Sequence, residues 1–329
     1  MPAKKIIFDT DLGVDDAMAL LFLHYSPRVD LLGICTGAGN APVELTTRNC
    51  CYMKDRFEIA ANVYRGAGAG LNGCNPLPPP TMIHGEDGLG DIDIPHCGSA
   101  PANVSAADYL VEEIMRQPGE ITIVSVGRLT NLALAIERAP AIAGLVKEIV
   151  VMGGVIGRNG HIGNVSPVAE ANIFGDPEAA DKIFRSECPV TMVGLDVTHE
   201  IVMDEVYFER LKKTCGEAGK FIYQISRIYT AFHREWANLE GCYVHDSTAA
   251  IYAIAPELFT VEHGSLRVVT EGIAAGQTIF SPGQTNWFAQ GWQRPDQQGL
   301  PLKQVCVGVN VPAVLEQYYQ TLHAAAGCS

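Results

Sequence analysis

The sequence predicts an α/β fold, an open, mostly parallel, Rossmann-like sheet flanked by helices, with additional helices and strands in the C-terminal third. Three observations predict it. Short apolar runs end abruptly in Gly or polar residues, as strands buried on both faces do. Helical patterns alternate with those runs, which implies right-handed crossovers between parallel strands. The polar residues cluster at the carboxyl ends of the runs, where open α/β sheets bind their ligands.

Taken in order, the strands are KKIIFD (ending at Asp9), Leu31–Asn40, Ile121–Asn131, Glu148–Gly154 and Thr191–Asp196. The helical patterns between them are DDAMALLFLHY, ELTTRNCCYMKDRF, SAADYLVEEIMRQ, LTNLALAIERAP and DPEAADKIFRS. Two segments read as loops. Gly66–Gly98 is rich in Gly and Pro and too long for a simple turn, so it reads as a flap. Gly153–Ala180 ends in an Asp-Pro helix start. The stretch from Asp204 to His245 reads as helices, and strands follow His263 before a last helix over Pro312–Ala326. No linker or repeat interrupts the chain, so residues 1–329 read as a single domain.

The 329 residues are 47% hydrophobic and only 18% charged, with a formal net charge of −14. That balance argues against nucleic acid and anionic membrane as partners, since both would repel the chain. No export signal or membrane-spanning run is visible, so the expected compartment is the cytoplasm. Ten Cys stand without metal-type spacing and read as small buried hydrophobes rather than a disulfide framework.

The segment DTDLGVDD places Asp9, Asp11, Asp15 and Asp16 at a strand-to-helix junction with no Lys or Arg among them. One of Asp15 and Asp16 could cap the helix and the other oppose its dipole. Capping leaves Asp9 and Asp11 unexplained, because neighbouring buried carboxylates cannot readily ionise together. Either some are protonated or a cation sits among them. An all-oxygen set without His or Cys favours a hard ion, Ca²⁺ or Mg²⁺.

DTDLGVDDA resembles the DxDxxxDD signature of the inosine-uridine nucleoside hydrolase family, Ca²⁺-dependent enzymes that split the N-glycosidic bond of ribonucleosides. GAGN at Gly37–Asn40, HGEDG at His84–Gly88, VGRLTNLA at Val126–Ala133, VMGG at Val151–Gly154, AEANIFGDPEAA at Ala169–Ala180, GLDVTH at Gly194–His199 and HDSTAAIY at His245–Tyr252 follow the family's order and spacing. The resemblance implies Ca²⁺ ligands at Asp11, Asp15, Asp16, Asp246 and the Val126 carbonyl, with Asp9 orienting its neighbours. Asp246 alone could equally cap the helix DSTAAIYAI.

The same resemblance implies a ribonucleoside substrate, Asp11 as the base that takes a proton from the attacking water, and His245 as the leaving-group acid. The unperturbed pKa of His suits proton donation near neutrality. Asp15 and Asn172 fall on contacts to the ribose 2′- and 3′-hydroxyls, Asn40 on a ribose-side or metal-side position, and Asn164 and Glu170 on contacts to the 5′-hydroxyl. Tyr229 matches an aromatic near the base, and His233 stands where some members carry Tyr. His84 could close over ribose from the flap. Trp236 could stack on the base, although packing within a helix is the simpler account. Ala171 replaces a bulky aromatic, and the segment 276–305 departs from the family pattern. Relatives of this kind form dimers or tetramers, so a homo-oligomer is expected.

Two alternatives stand beside this reading. IIFDTD is also similar to the strand end of haloacid-dehalogenase-like, Mg²⁺-dependent phosphatases, which would make Asp9 a nucleophile and Asp11 an acid. A noncatalytic, Ca²⁺-dependent nucleoside- or sugar-binding protein would need the same acidic nest.

Overall fold

A computed structural model describes every residue except 1, 96, 284–286, 288, 294–299 and 328–329. The chain starts with β1 (Lys4–Thr10), α1 (Val14–Tyr25), β2 (Val29–Thr36), α2 (Val43–Arg56) and β3 (Asn62–Arg65). The long Gly66–Gly98 connection holds one short helix, α3 (Thr81–His84), and leads to α4 (Ala106–Arg116). Then come β4 (Ile121–Ser125), α5 (Thr130–Arg138) and β5 (Glu148–Met152). After the second long connection the chain forms α6 (Ala171–Gly175), α7 (Pro177–Arg185), β6 (Val190–Val193) and α8 (Leu195–Thr198). The next elements are β7 (Val202–Met203), α9 (Glu205–Thr214), α10 (Gly216–Ala237), β8 (Cys242–Tyr243) and α11 (Asp246–Ile254). The chain closes with β9 (Phe259–Val268), β10 (Thr278–Pro282), β11 (Lys303–Val309) and α12 (Val311–Ala326).

Nine strands make the main sheet in the order β10-β9-β11-β6-β5-β4-β1-β2-β3. From β3 through β11 every pairing is parallel, and only β9 runs against its neighbours. The α/β expectation therefore holds. β3 was not foreseen; it is a four-residue edge strand whose end residues, Asn62 and Arg65, are exposed. The helix expected at Pro312 begins one residue earlier, with Pro in its first turn.

The first three strands step outward on one side of β1, and β4 returns to its other side. The gap beyond the carboxyl ends of β1 and β4 is thus a topological switch point, where open sheets place a ligand crevice. Alternation along β1 sets what faces each way there. Ile6 and Phe8 enter the core under α1, α10, α11 and α12, whereas Ile7 enters the core under α4, α5 and α7. Continuing the pattern, Asp9 turns to the α5 side and Thr10 to the α1 side.

Helix α1 is buried from Val14 to Leu23, as a helix enclosed by sheet and helices must be. Phe22 stacks on Tyr318 of α12 at 5.7 Å, and the Tyr318 hydroxyl donates to the Met18 carbonyl at 3.0 Å. The acidic first turn of α1 therefore sits on a rigid element. Among the described cysteines, Cys35, Cys50, Cys51, Cys188, Cys215, Cys242 and Cys306 are buried and none is in a disulfide, as expected. Among the described residues, no helix is long and apolar enough to cross a membrane.

Candidate active site

The carboxylates of Asp15, Asp16 and Asp246 converge so that one oxygen of each lies within 4.8 Å of the others. All three are buried, as are Asp9 and Asp11. Asp11 stands just outside that triad and is tied to it by Asn40. The Asn40 backbone N–H donates to Asp11 Oδ2 at 2.8 Å, and its side-chain Nδ2 donates to Asp16 Oδ2 at 2.8 Å. Asp16 also accepts from Thr10 Oγ1 and, from the third position of α1, from the backbone N–H of the cap residue Gly13. Asp246 opens α11 at its first turn, and the position before it, the cap, is His245. Its side chain caps nothing, so the capping alternative for Asp246 is corrected.

Two glycines make the nest possible. A Cβ on Gly39 would fall 1.7 Å from Asp11 Oδ2, and one on Gly13 would fall 2.5 Å from His84 Nδ1 and 2.7 Å from Asn40 Nδ2. Larger residues would push these groups away from the crevice.

Among the described residues no Lys or Arg forms an ion pair with any of these acids. Burial first, and then mutual repulsion, holds Asp11 and Asp246 well above the usual carboxylate range. The same two causes raise Asp15 to about 7. Burial raises Asp16 as well. Asp9 is pushed up to about 6 by burial, opposed by hydrogen bonds from Asn131 and Ser125. Asp11 Oδ1 and Asp15 Oδ1 are buried without a hydrogen-bond partner. Buried polar atoms are rarely left so, and two carboxylate oxygens orphaned together at one nest fit a hard cation. The residues present therefore suit a divalent ion of the calcium or magnesium class.

Beside the acids lies a layer of rings. Tyr229 donates its hydroxyl to Asp15 Oδ2 at 3.1 Å. His233 Nδ1 lies 2.8 Å from the Tyr229 carbonyl, and its ring packs on Tyr229 and Tyr243. His84 Nδ1 accepts the Val14 N–H at 3.1 Å, which fastens the flap to the start of α1. Burial pushes His84 down to about 3. His245 Nδ1 lies 2.9 Å from the Thr198 hydroxyl, which leaves Nε2 as its free nitrogen. Burial, and then His199, His233 and His84, hold His245 well below its ordinary value.

The remaining candidates divide. Asn172 donates from Nδ2 to the Val126 carbonyl at 2.8 Å and to the Met152 carbonyl at 3.1 Å, so it bridges the ends of β4 and β5. It lies in α6 rather than in a loop. Glu170 is buried, not solvated; it caps α6 and accepts the N–H groups of Gly154, Asn172 and Ile173. Asn164 is exposed, and its Oδ1 accepts the Ala171 N–H at 3.0 Å. Trp236 is 65% exposed and stacks on Phe232, so packing in the helix core is corrected, and no described contact joins it to the acids. Within the divergent segment 276–305, residues 284–286, 288 and 294–299 lie outside the described residues.

Three contributors were not singled out from sequence. Asn131 holds Asp9 Oδ1 at 2.8 Å and the Thr36 carbonyl at 3.0 Å. Arg128 is the cation whose charge acts on Asp11. Thr198 holds His245. All three lie inside quoted motifs, VGRLTNLA and GLDVTH, and that was the available signal.

The sequence profile of the inosine-uridine preferring nucleoside hydrolases matches residues 6–316. The chain is 38% identical over 288 residues to uridine nucleosidase 1 of Arabidopsis thaliana, covering 86% of this chain and 84% of that protein. A solved plant nucleoside hydrolase superposes with a TM-score of 0.91 at 36% identity, covering 98% of this chain and 100% of the other. A purine-preferring ribonucleoside hydrolase from Gardnerella vaginalis does so with 0.89 at 32% identity, covering 99% and 100%.

Proposed function

We propose, for a chain that belongs to the inosine-uridine preferring nucleoside hydrolase family and is a ribonucleoside hydrolase, that its substrates are pyrimidine ribonucleosides, uridine first, and its ion Ca²⁺. The ligands are Asp11, Asp15, Asp16, Asp246 and the Val126 carbonyl. The observation that carries this is the pair of buried, unpartnered oxygens, Asp11 Oδ1 and Asp15 Oδ1, in a nest whose acids form no ion pair with any described Lys or Arg. When bound, the ion supplies positive charge that favours ionisation of water and grips vicinal ribose hydroxyls.

The chain's own groups divide the rest of the work. Asp11 keeps Oδ1 free while the Asn40 N–H fixes Oδ2, so it is oriented to take the proton of the attacking water. Asp15, with Oδ1 free and Oδ2 held by Tyr229, binds a ribose hydroxyl together with Asn40 and Asn172. Glu170 and Asn164 are assigned to the 5′ side; Glu170 also caps α6 and so aims Asn172. His84, Tyr229, His233 and His245 form the aromatic wall beside the nest, and His245 Nε2 is the proton donor to the departing base. Trp236, exposed beyond His233 on α10, is at most an outer contact to the base. Asp9 holds the end of β1 by pairing with Ser125 and Asn131.

Those two bonds disfavour the phosphatase alternative, because the aspartate it needs as nucleophile is buried with both oxygens engaged. The uridine preference rests on the relative named a uridine nucleosidase; the purine-preferring neighbour makes inosine the comparison substrate. The test is a reducing-sugar assay over uridine, cytidine, inosine and adenosine, with and without chelator. Ribose release fastest from uridine, lost on chelation and restored by Ca²⁺, is expected. Full activity in exhaustively demetallated protein overturns the metal reading, and inosine cleaved faster than uridine overturns the base preference. Nucleoside binding with no ribose released would mark a binder instead.

A further inference from the structure

Between the leaving-group end of the site and the Gly153–Ala180 connection sits a residue with no role assigned above. His199 follows α8 and is half-buried. Its ring packs on three others: Tyr243 at 4.3 Å, His245 at 5.4 Å and His161 at 5.3 Å between centroids. The His161 contact is edge-on, at 77°, and the other two are tilted, at 31° and 59°. Among the described residues the His199 ring makes no hydrogen bond, so it acts on its neighbours through shape.

Its neighbours connect two parts of the site. His161 belongs to the connection that also carries Asn164 and Glu170. It is latched in place by Glu200, 2.5 Å from its Nε2. Asn159 and Arg158 fasten the same stretch through the Asp196 carbonyl and carboxylate. On the other side, His245 is held twice at the end of α8, through the hydroxyl of its last residue, Thr198, and through the ring of His199 just after it. One hydrogen bond fixes a single atom of an imidazole and leaves rotation about that atom; a second ring packed against it, tilted by 59°, restricts that freedom.

We propose that His199 is a positioning residue for the reaction, a wedge that sets the His245 ring against the departing base and ties it to the connection that reaches the 5′ side of the sugar. This rests on the assignment of His245 as leaving-group acid. Burial, with His161 and His233 adding to it, pushes His199 down to about 4, so the wedge is an uncharged ring at neutral pH. No proton is routed through it.

The test compares two substrates. Uridine needs its base protonated to leave; p-nitrophenyl β-ribofuranoside does not, because the phenolate is already a good leaving group. Misplacing a catalytic group by about 1 Å costs about 100-fold. His199→Ala is therefore expected to lower kcat on uridine about 100-fold while changing the nitrophenyl riboside rate less than about 3-fold. His199→Phe keeps a ring of similar outline without nitrogen and is expected to restore most of the uridine rate. Equal losses on both substrates in His199→Ala, or a Phe variant as slow as the Ala variant, overturn the proposal. His245→Ala is the reference. If it is selective for uridine and His199→Ala is not, the wedge alone is refuted. If His245→Ala slows both substrates alike, the acid assignment fails and the wedge falls with it.

Discussion

Replacing Asp15 by Asn removes one charge from the nest and keeps its shape, and the sign of the stability change should depend on calcium. Asp15 ionises at 3.8 in an ordinary setting and at about 7 here, because burial and the Asp16 charge oppose its ionisation. The native state therefore holds a proton that the unfolded chain releases, and stability contributed by that proton is lost as pH rises from about 4 to about 7. By pH 8 the full difference is expressed, about 4 kcal/mol, reduced to about 2–4 where Asp16 and Asp246 share the strain. Asn carries no such cost, and its amide oxygen still accepts from Tyr229.

Metal-free Asp15→Asn should accordingly melt above metal-free wild type at pH 8, by about 3–6 °C for a chain of this length. At pH 5 the gain should be less than half as large. The buried histidines, His84 and His245 among them, titrate in the opposite sense but are common to both proteins and cancel in the comparison. With saturating Ca²⁺ the order should reverse, because wild type gains binding energy from a ligand that the variant lacks. Differential scanning calorimetry at both pH values, with chelator and with Ca²⁺, reads all four conditions. A variant less stable than wild type in chelator at pH 8, or a calcium-independent difference, would refute the reasoning.

Three further outcomes follow from particular contacts. Gly39→Ala should cut kcat by about 100-fold or more, since its Cβ would displace Asp11; steady-state kinetics that match wild type would show that Asp11 need not stay where it is. Asp11→Asn should lower kcat by about 1,000-fold in a protein that still folds, as loss of a general base does, and a loss under tenfold would remove its assigned role. Asn172→Leu, which frees the Val126 carbonyl and unties β4 from β5, should raise the Ca²⁺ concentration for half-maximal activity about 10-fold; an unchanged calcium titration would separate Asn172 from the ion.

What could be read from sequence follows the range of the interactions. The sheet was legible because buried parallel strands print themselves as continuous apolar runs, and each of the five expected strands is present. β3 escaped because NVYR is short, borders solvent and lacks such a run. The helix over Ala171–Gly175 escaped because it exists through one capping carboxylate, Glu170, and its sequence signal is only five residues long. Trp236 was assigned to a core on its apolar character alone, yet single large exposed apolar residues are ordinary on folded surfaces.

At the site the division is sharper. Asp11, Asp15 and Asp16 are neighbours in sequence, so their repulsion is visible without coordinates. The residues that answer them come from far along the chain: Asn131 is 122 positions from Asp9, and Thr198 is 47 from His245. Such contacts are fixed only when the sheet order puts β4 beside β1 and α8 beside α11's first turn. An isolated peptide carrying DTDLGVDD would simply be hydrated and ionised. Folding carries the same segment into a buried crevice walled by α1, α10 and α11, where no described cationic side chain pairs with it and Arg128 acts on Asp11 through its charge alone. Burial of like charges is unfavourable by itself, so a fold that gathers five carboxyls at one crevice either keeps some of them protonated or meets them with a cation. The orphaned oxygens of Asp11 and Asp15 are where the proposed ion would contribute, and the calcium dependence of the Asp15→Asn effect is its test.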